Sequence, residues 1–172
     1  MIMSNSSSAA HGHQGDVRHD RRANPLGAYV ATAGVVVFLI SVFLDWVSTQ
    51  DDTVTGSGYE TDTVIPYLAY FGIGLAAALL YAAGRARGRQ HRGLSLVTMA
   101  AGVAATLVSL SYILDAPGAL ERGGDYSAEI GSYIGLLGGL VWAVGAFLLA
   151  KEPEGDDDWH DAHHVDAGRT AH

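Results

Sequence analysis

Residues 84–92 read GRARGRQHR, four arginines and a histidine set between two long apolar runs. The run before it, about Val64 to Ala83, and the run after it, about Gly93 to Leu114, hold no Asp, Glu, Lys, Arg or His. Each is roughly 20 residues long, the length at which a helix crosses about 30 Å of hydrocarbon. A soluble surface helix keeps a charged face, and these runs have none. Arg85, Arg87, Arg89 and Arg92 therefore belong to a short loop between two membrane spans.

Two further apolar runs lie outward of this pair, about Leu26 to Val47 and Ile130 to Ala150. The expected fold is all-α: a four-helix transmembrane bundle over 25–150, with spans at about 26–47, 64–83, 93–114 and 130–150. Residues 1–24 and 151–172 are polar, without periodicity, and cannot bury enough apolar area to offset the entropy of ordering, so both tails are expected to be disordered. The net charge of −8 comes largely from the last tail. With no cysteine in the chain, disulfides, thiolate metal sites and thiol catalysis are excluded. Ser4 to Ala10 is small and polar, unlike the start of a cleavable signal peptide, so the first span is expected to direct insertion.

Local signals mark the span ends. Asn24-Pro25 pairs an N-cap with a proline at the first helical position. Asp45-Trp46 suits an interface, with the indole at headgroup level and the carboxylate in water. Ser48 to Thr63 is rich in Thr, Ser and Gly and is expected to be an unpacked loop. Asp62 or Thr63 caps the second span, and Gly84 closes it. Asp115-Ala116-Pro117-Gly118 breaks the third. Ser127 caps the fourth, with Glu129 in its first turn and Lys151 at its end.

Orientation follows from Lys and Arg in the short loops. The N-terminal flank holds Arg18, Arg21 and Arg22, and the middle loop holds four arginines, whereas Ser48–Thr63 has no basic residue and Ala119–Ala128 has only Arg122. Both termini are expected in the cytoplasm of a cell with this protein in its plasma membrane. The basic loop also has the chemistry to meet anionic lipid headgroups.

Small residues four apart let helices approach closely in lipid. Gly131, Gly135, Gly139 and Ala143 form one such stripe, and Gly74, Ala78 and Ala82, Ala100 with Ala104, and Ala101 with Ala105 form others. They either hold the four spans together or face a second copy or another membrane protein. Apart from Asp45, near the end of the first run, no ionisable side chain lies inside a span, where it would mark function. That excludes a proton-coupled exporter with a mid-span carboxylate and a membrane cytochrome with paired histidines.

Three weaker constellations remain. Asp45, Asp115 and Glu129 stand at outer span ends and together form a candidate cation vestibule. Thr32, Ser41, Thr98, Thr106, Ser109, Ser132 and Trp142 are polar groups within spans; hydroxyls there ordinarily bond to their own helix, and Trp142 is deep enough to pack in the bundle. His160, His163 and His164 share a face if the tail is helical and are candidate metal ligands, which His11 and His13 can join. No cofactor, catalytic residue or nucleic-acid partner is expected. The partners expected are the bilayer and a second copy or another membrane protein.

The Ala, Gly and Val-rich spans, the preference for Arg over the single Lys151, and the Phe43-Leu44-Asp45-Trp46 ending resemble small four-span membrane proteins of high-GC actinobacteria over about Pro25 to Ala150. The resemblance implies a cell-membrane location and assigns no functional residue. The expected function is a non-enzymatic accessory or scaffold subunit, the alternative a minimal oligomeric transporter or channel. Reversing the charge of Arg85, Arg87, Arg89 and Arg92 together should invert or scramble the topology, as read by accessibility of cysteines placed in the loops. Unchanged orientation would shift that role to Arg18, Arg21 and Arg22.

Overall fold

The structure, a computed structural model, describes residues 24–49, 53–85, 91–115 and 126–152. In chain order these form α1 (Leu26–Ser41), β1 (Asp45–Thr49), β2 (Thr55–Ser57), a single turn α2 (Gly58–Thr61), α3 (Val64–Arg85), α4 (His91–Leu114), β3 (Tyr126–Ala128) and α5 (Ile130–Ala150). Three helices are long and apolar enough to cross a membrane: α3 over Val64–Gly84, α4 over Arg92–Leu114, and α5. Length and composition thus mark a mostly helical, multi-pass membrane protein. Residues 1–23 and 153–172 of the two tails lie outside the described residues.

The first run departs from the expected 26–47 span. Its helix stops at Ser41 after 16 residues, about 24 Å of rise, and Asp45–Thr49 is a strand instead. Two local features favour the stop. A helix continued to Val47 would carry Asp45 within the apolar thickness. The segment Val47-Ser48-Thr49 also finds strand partners on both sides, β2 and β3, each antiparallel. The resulting sheet has the order β2-β1-β3 and caps one end of the bundle. Ser48–Thr63, expected to be an unpacked loop, thus supplies part of β1, all of β2 and α2.

The helix ends also differ in detail. Asn24 Oδ1 accepts the Leu26 N–H at 3.0 Å, and Asp62 Oδ1 accepts the Val64 N–H at 3.1 Å, so both cap as read. Gly84 does not close α3, which runs on to Arg85. Ser127 lies in β3, and Glu129 takes the cap position of α5. Lys151 stands over the Phe147 ring, with Nζ 4.7 Å from its centroid.

The helices form a ring in the order α1, α5, α4, α3, so that α5 touches α1 and α4 and lies across from α3. Its contacts with both neighbours are backbone to backbone. On one face, Gly138, Trp142, Gly145 and Leu149 meet Phe38, Gly34, Ala31 and Gly27 of α1, running antiparallel. A methyl group on Gly27 would sit 2.6 Å from Leu149 N, and one on Gly138 would sit 2.5 Å from Phe38 N. On the next face Gly139 lies against Thr106 and Ala143 against Gly102 of α4. The sequence spacing is 4-3-4 on the α1 side, and Gly139 and Ala143 are four apart on the α4 side, so two different packing stripes share one helix. Such approach maximises dispersion contact where lipid offers no hydrophobic drive.

By contrast, α3 is held through side chains: Gly72 meets the Trp142 ring and Val35, while Gly74 has open space around it. Gly145→Ala is expected to lower stability in detergent by about 1–3 kcal/mol through overpacking. Gly74→Ala is expected to be neutral or mildly stabilising, since alanine is the better helix former. Paired thermal melts of the two variants check this contrast.

Candidate functional site

The sheet-bearing end is built around Trp46. Because α1 stops early, the last two turns of α5 at that end have no helix of α1 beside them. The Trp46 side chain fills that place. Its ring lies against Gly131 and Gly135, where methyl groups would come within 2.5 Å of Cδ1 and 2.8 Å of Cζ2. Its Nε1 donates to the Ser41 carbonyl at 2.7 Å, which satisfies the indole donor; the same carbonyl also accepts the Leu44 N–H at 3.1 Å. Phe38 and Tyr112 meet the ring edge to face, with centroids at 6.2 and 5.5 Å. Trp46 is fully buried, so its ring packs inside the protein and does not face the interface as a lipid-exposed belt residue. A ring enclosed by protein on this many sides has no area left to offer lipid.

The three outer carboxylates have different surroundings. Glu129 accepts the Ser48 hydroxyl at 2.6 Å, and its N–H donates to the Trp46 carbonyl at 2.9 Å. It ties the start of α5 to the central strand. Asp45 and Asp115 are exposed, the first in β1 and the second just past α4. Among the described residues no three His, Cys, Asp or Glu side chains gather closely enough to hold a metal ion. Two carboxylates outside the expected vestibule also work here. Asp62 accepts the Tyr112 hydroxyl at 3.4 Å in addition to capping α3. Glu60 accepts both the N–H and the hydroxyl of Ser57, at 3.0 and 2.9 Å. Those hydrogen bonds hold its carboxyl below the usual carboxylate range, the backbone one first.

The small-residue stripe of α5 is divided among internal neighbours: Gly131 and Gly135 face Trp46, with Ser109 beside Gly135, and Gly139 and Ala143 face α4. Gly74 and Ala78, on α3, face outward. The polar groups within the helices are turned on their own backbones. Thr32 bonds the Ala28 carbonyl at 2.8 Å, Ser41 Phe38, Thr98 Leu94, Thr106 Gly102, Ser109 Ala105 and Ser132 Glu129. Trp142 is the exception. Its ring crosses the bundle axis from Gly102 on α4 to Gly72 on α3, and its buried Nε1 has no hydrogen-bond partner. Leaving such a donor unmade costs about 1–3 kcal/mol.

At the opposite end Arg92 is exposed in the first turn of α4, and Arg85 ends α3. Arg87 and Arg89, and the histidines His160, His163, His164, His11 and His13, lie outside the described residues.

Comparison with protein-family models, with curated proteins and with solved structures finds no match to this chain. Sequence reasoning missed Trp46 as a buried plug and the Gly27, Gly34, Gly138 and Gly145 stripe. The heptad-like spacing of those glycines was the available signal. Trp46→Ala is expected to destabilise the sheet-bearing end by about 3–5 kcal/mol, the range for emptying a large buried aromatic site. Tyr126 and Glu129 should become protease- and exchange-accessible before the helices do, which hydrogen exchange in micelles would resolve.

Proposed function

We propose that this chain is a four-span protein of the plasma membrane, with both termini cytoplasmic, acting as a non-enzymatic accessory or scaffold subunit. In this view α1 is the fourth crossing. Its 16 residues are short for the task, but Trp46 continues the packing along α5 as far as Gly131. Non-helical backbone is tolerated at that depth where it is enclosed and hydrogen-bonded; β1 is the central strand and pairs on both edges. The arginine-rich 84–92 segment and the acidic sheet-bearing end support the orientation through the bias of basic residues towards the cytoplasm.

The observation that carries the scaffold reading is the closed character of the bundle. Hydroxyls within the helices are spent on their own carbonyls, and backbone contacts bring α1, α5 and α4 together. Little chemistry is left inside, whereas the outward faces are broad and apolar. A transporter reading would instead use Asp45, Asp115 and Glu129, yet the hydrogen bond from Ser48 gives Glu129 a task in holding the cap.

Cross-linking in native membranes followed by purification in mild detergent tests the proposal. Recovery with a defined membrane-protein partner or a second copy is expected, and recovery only as a lone monomer would overturn it. Solute flux in liposomes that falls in Asp45→Asn, Asp115→Asn and Glu129→Gln would favour the transporter instead.

A further inference from the structure

Three aromatic rings from three different elements converge on the outside of the sheet-bearing end. Phe43, in the turn after α1, lies 5.5 Å from Tyr59 of α2, centroid to centroid, and Tyr59 lies 6.2 Å from Tyr70 of α3. Their planes are turned 39° and 66° from one another, so the rings make an angled wall rather than a stack. All three are exposed, Phe43 at 65%, Tyr59 at 42% and Tyr70 at 55%. Packing within the chain therefore leaves much of this aromatic surface uncovered.

The level and charge of this wall narrow what covers it. Tyr70 lies in the second turn of α3 and Phe43 directly beyond the end of α1, so the wall sits where apolar helix gives way to polar cap. That is the headgroup depth of a bilayer. Every described ionisable side chain at this end is acidic: Asp45, Glu60, Asp62, Asp115 and Glu129. Glu60 follows Tyr59 directly and is pinned by Ser57, hydrogen bonds that also favour its charged form. Aromatic faces beside negative charge attract ammonium groups, through the ring quadrupole and Coulomb attraction together. The described carboxylates are not gathered for oxygen coordination, which favours an organic ammonium over a divalent metal.

We propose that Phe43, Tyr59 and Tyr70, with Glu60 beside them, bind the ammonium headgroup of a membrane lipid. The proposal rests on the membrane-spanning reading of the chain and adds a lipid preference to it. An aromatic belt without this site would anchor the protein at the interface with no preference between an ammonium and a glycerol headgroup.

The test uses the full-length protein in micelles doped with equal amounts of phosphatidylethanolamine and phosphatidylglycerol of matched acyl chains, with retained lipid read by native mass spectrometry. The expected result is a ratio of retained phosphatidylethanolamine to phosphatidylglycerol that falls about two- to fivefold in Tyr59→Ala, the scale of an exposed cation–π contact, lipid held at the 84–92 arginines being common to both proteins. Glu60→Gln should lower the ratio in the same direction. Tyr59→Phe should keep it, as should Tyr81→Ala at the far end of α3. A ratio left unchanged by Tyr59→Ala and Glu60→Gln together overturns the proposal. Failure of the membrane reading would show separately, as a protein that stays soluble without micelles.

Discussion

Helix α5 is approached by backbone on two adjacent faces, and everything else in the bundle is arranged to allow that. Interior helices in lipid gain little from excluding water, so their association depends on how many atoms come within dispersion range. Gly138 and Gly145 remove side chains on the α1 face, and Gly139 does so on the α4 face. Gly27, Gly34 and Gly102 answer from the partner helices. A helix meshed on two sides in this way cannot rotate or slide without opening both contacts. It gives α1 and α4 a common reference, and their register follows from it.

Trp46 stands where that meshing ends, and Trp142 projects its side chain from within it. Trp46 fills the gap left beside Gly131 and Gly135 by the early end of α1, and its Nε1 donates to the Ser41 carbonyl at that end. Trp142 projects across the axis to Gly72, and it is the means by which α5 touches the helix diagonal to it. One indole is satisfied and the other is not. Trp46 lies at a helix terminus, where carbonyls lack their i+4 partner, whereas Trp142 lies mid-helix among carbonyls that the helical ladder and back-bonded hydroxyls such as Thr106 already use.

The cap is the part of the molecule in which membrane and protein chemistry meet. Its sheet gives β1 partners on both edges, which leaves its backbone fit to lie close to the bilayer. Glu129 and Asp62 fasten it to α5 and α4 through Ser48 and Tyr112. Its outer rim carries aromatic rings and carboxylates together, a combination suited to the polar boundary of a leaflet rather than to its hydrocarbon.

The amino-acid order by itself determined the apolar runs, the caps at Asn24 and Asp62, and the sign of each loop, because those depend on local composition and on transfer into lipid. It also made the back-bonding of Thr98, Thr106 and Ser109 legible, since a hydroxyl in a helix has its own i−4 carbonyl within reach. Where α1 ends was decided only in three dimensions. Residues 42–47 are apolar apart from Asp45, and the choice of strand there depends on β2 and β3, the latter some 80 residues away in sequence. The same holds for which neighbour each glycine faces. Spacing of four marked Gly131, Gly135, Gly139 and Ala143 as one stripe, but the packing split it between an indole and a helix. The 84–92 segment joins α3 to α4 and is the most basic stretch of the chain; what those helices enclose was settled by Gly72, Gly102 and the Trp142 ring between them.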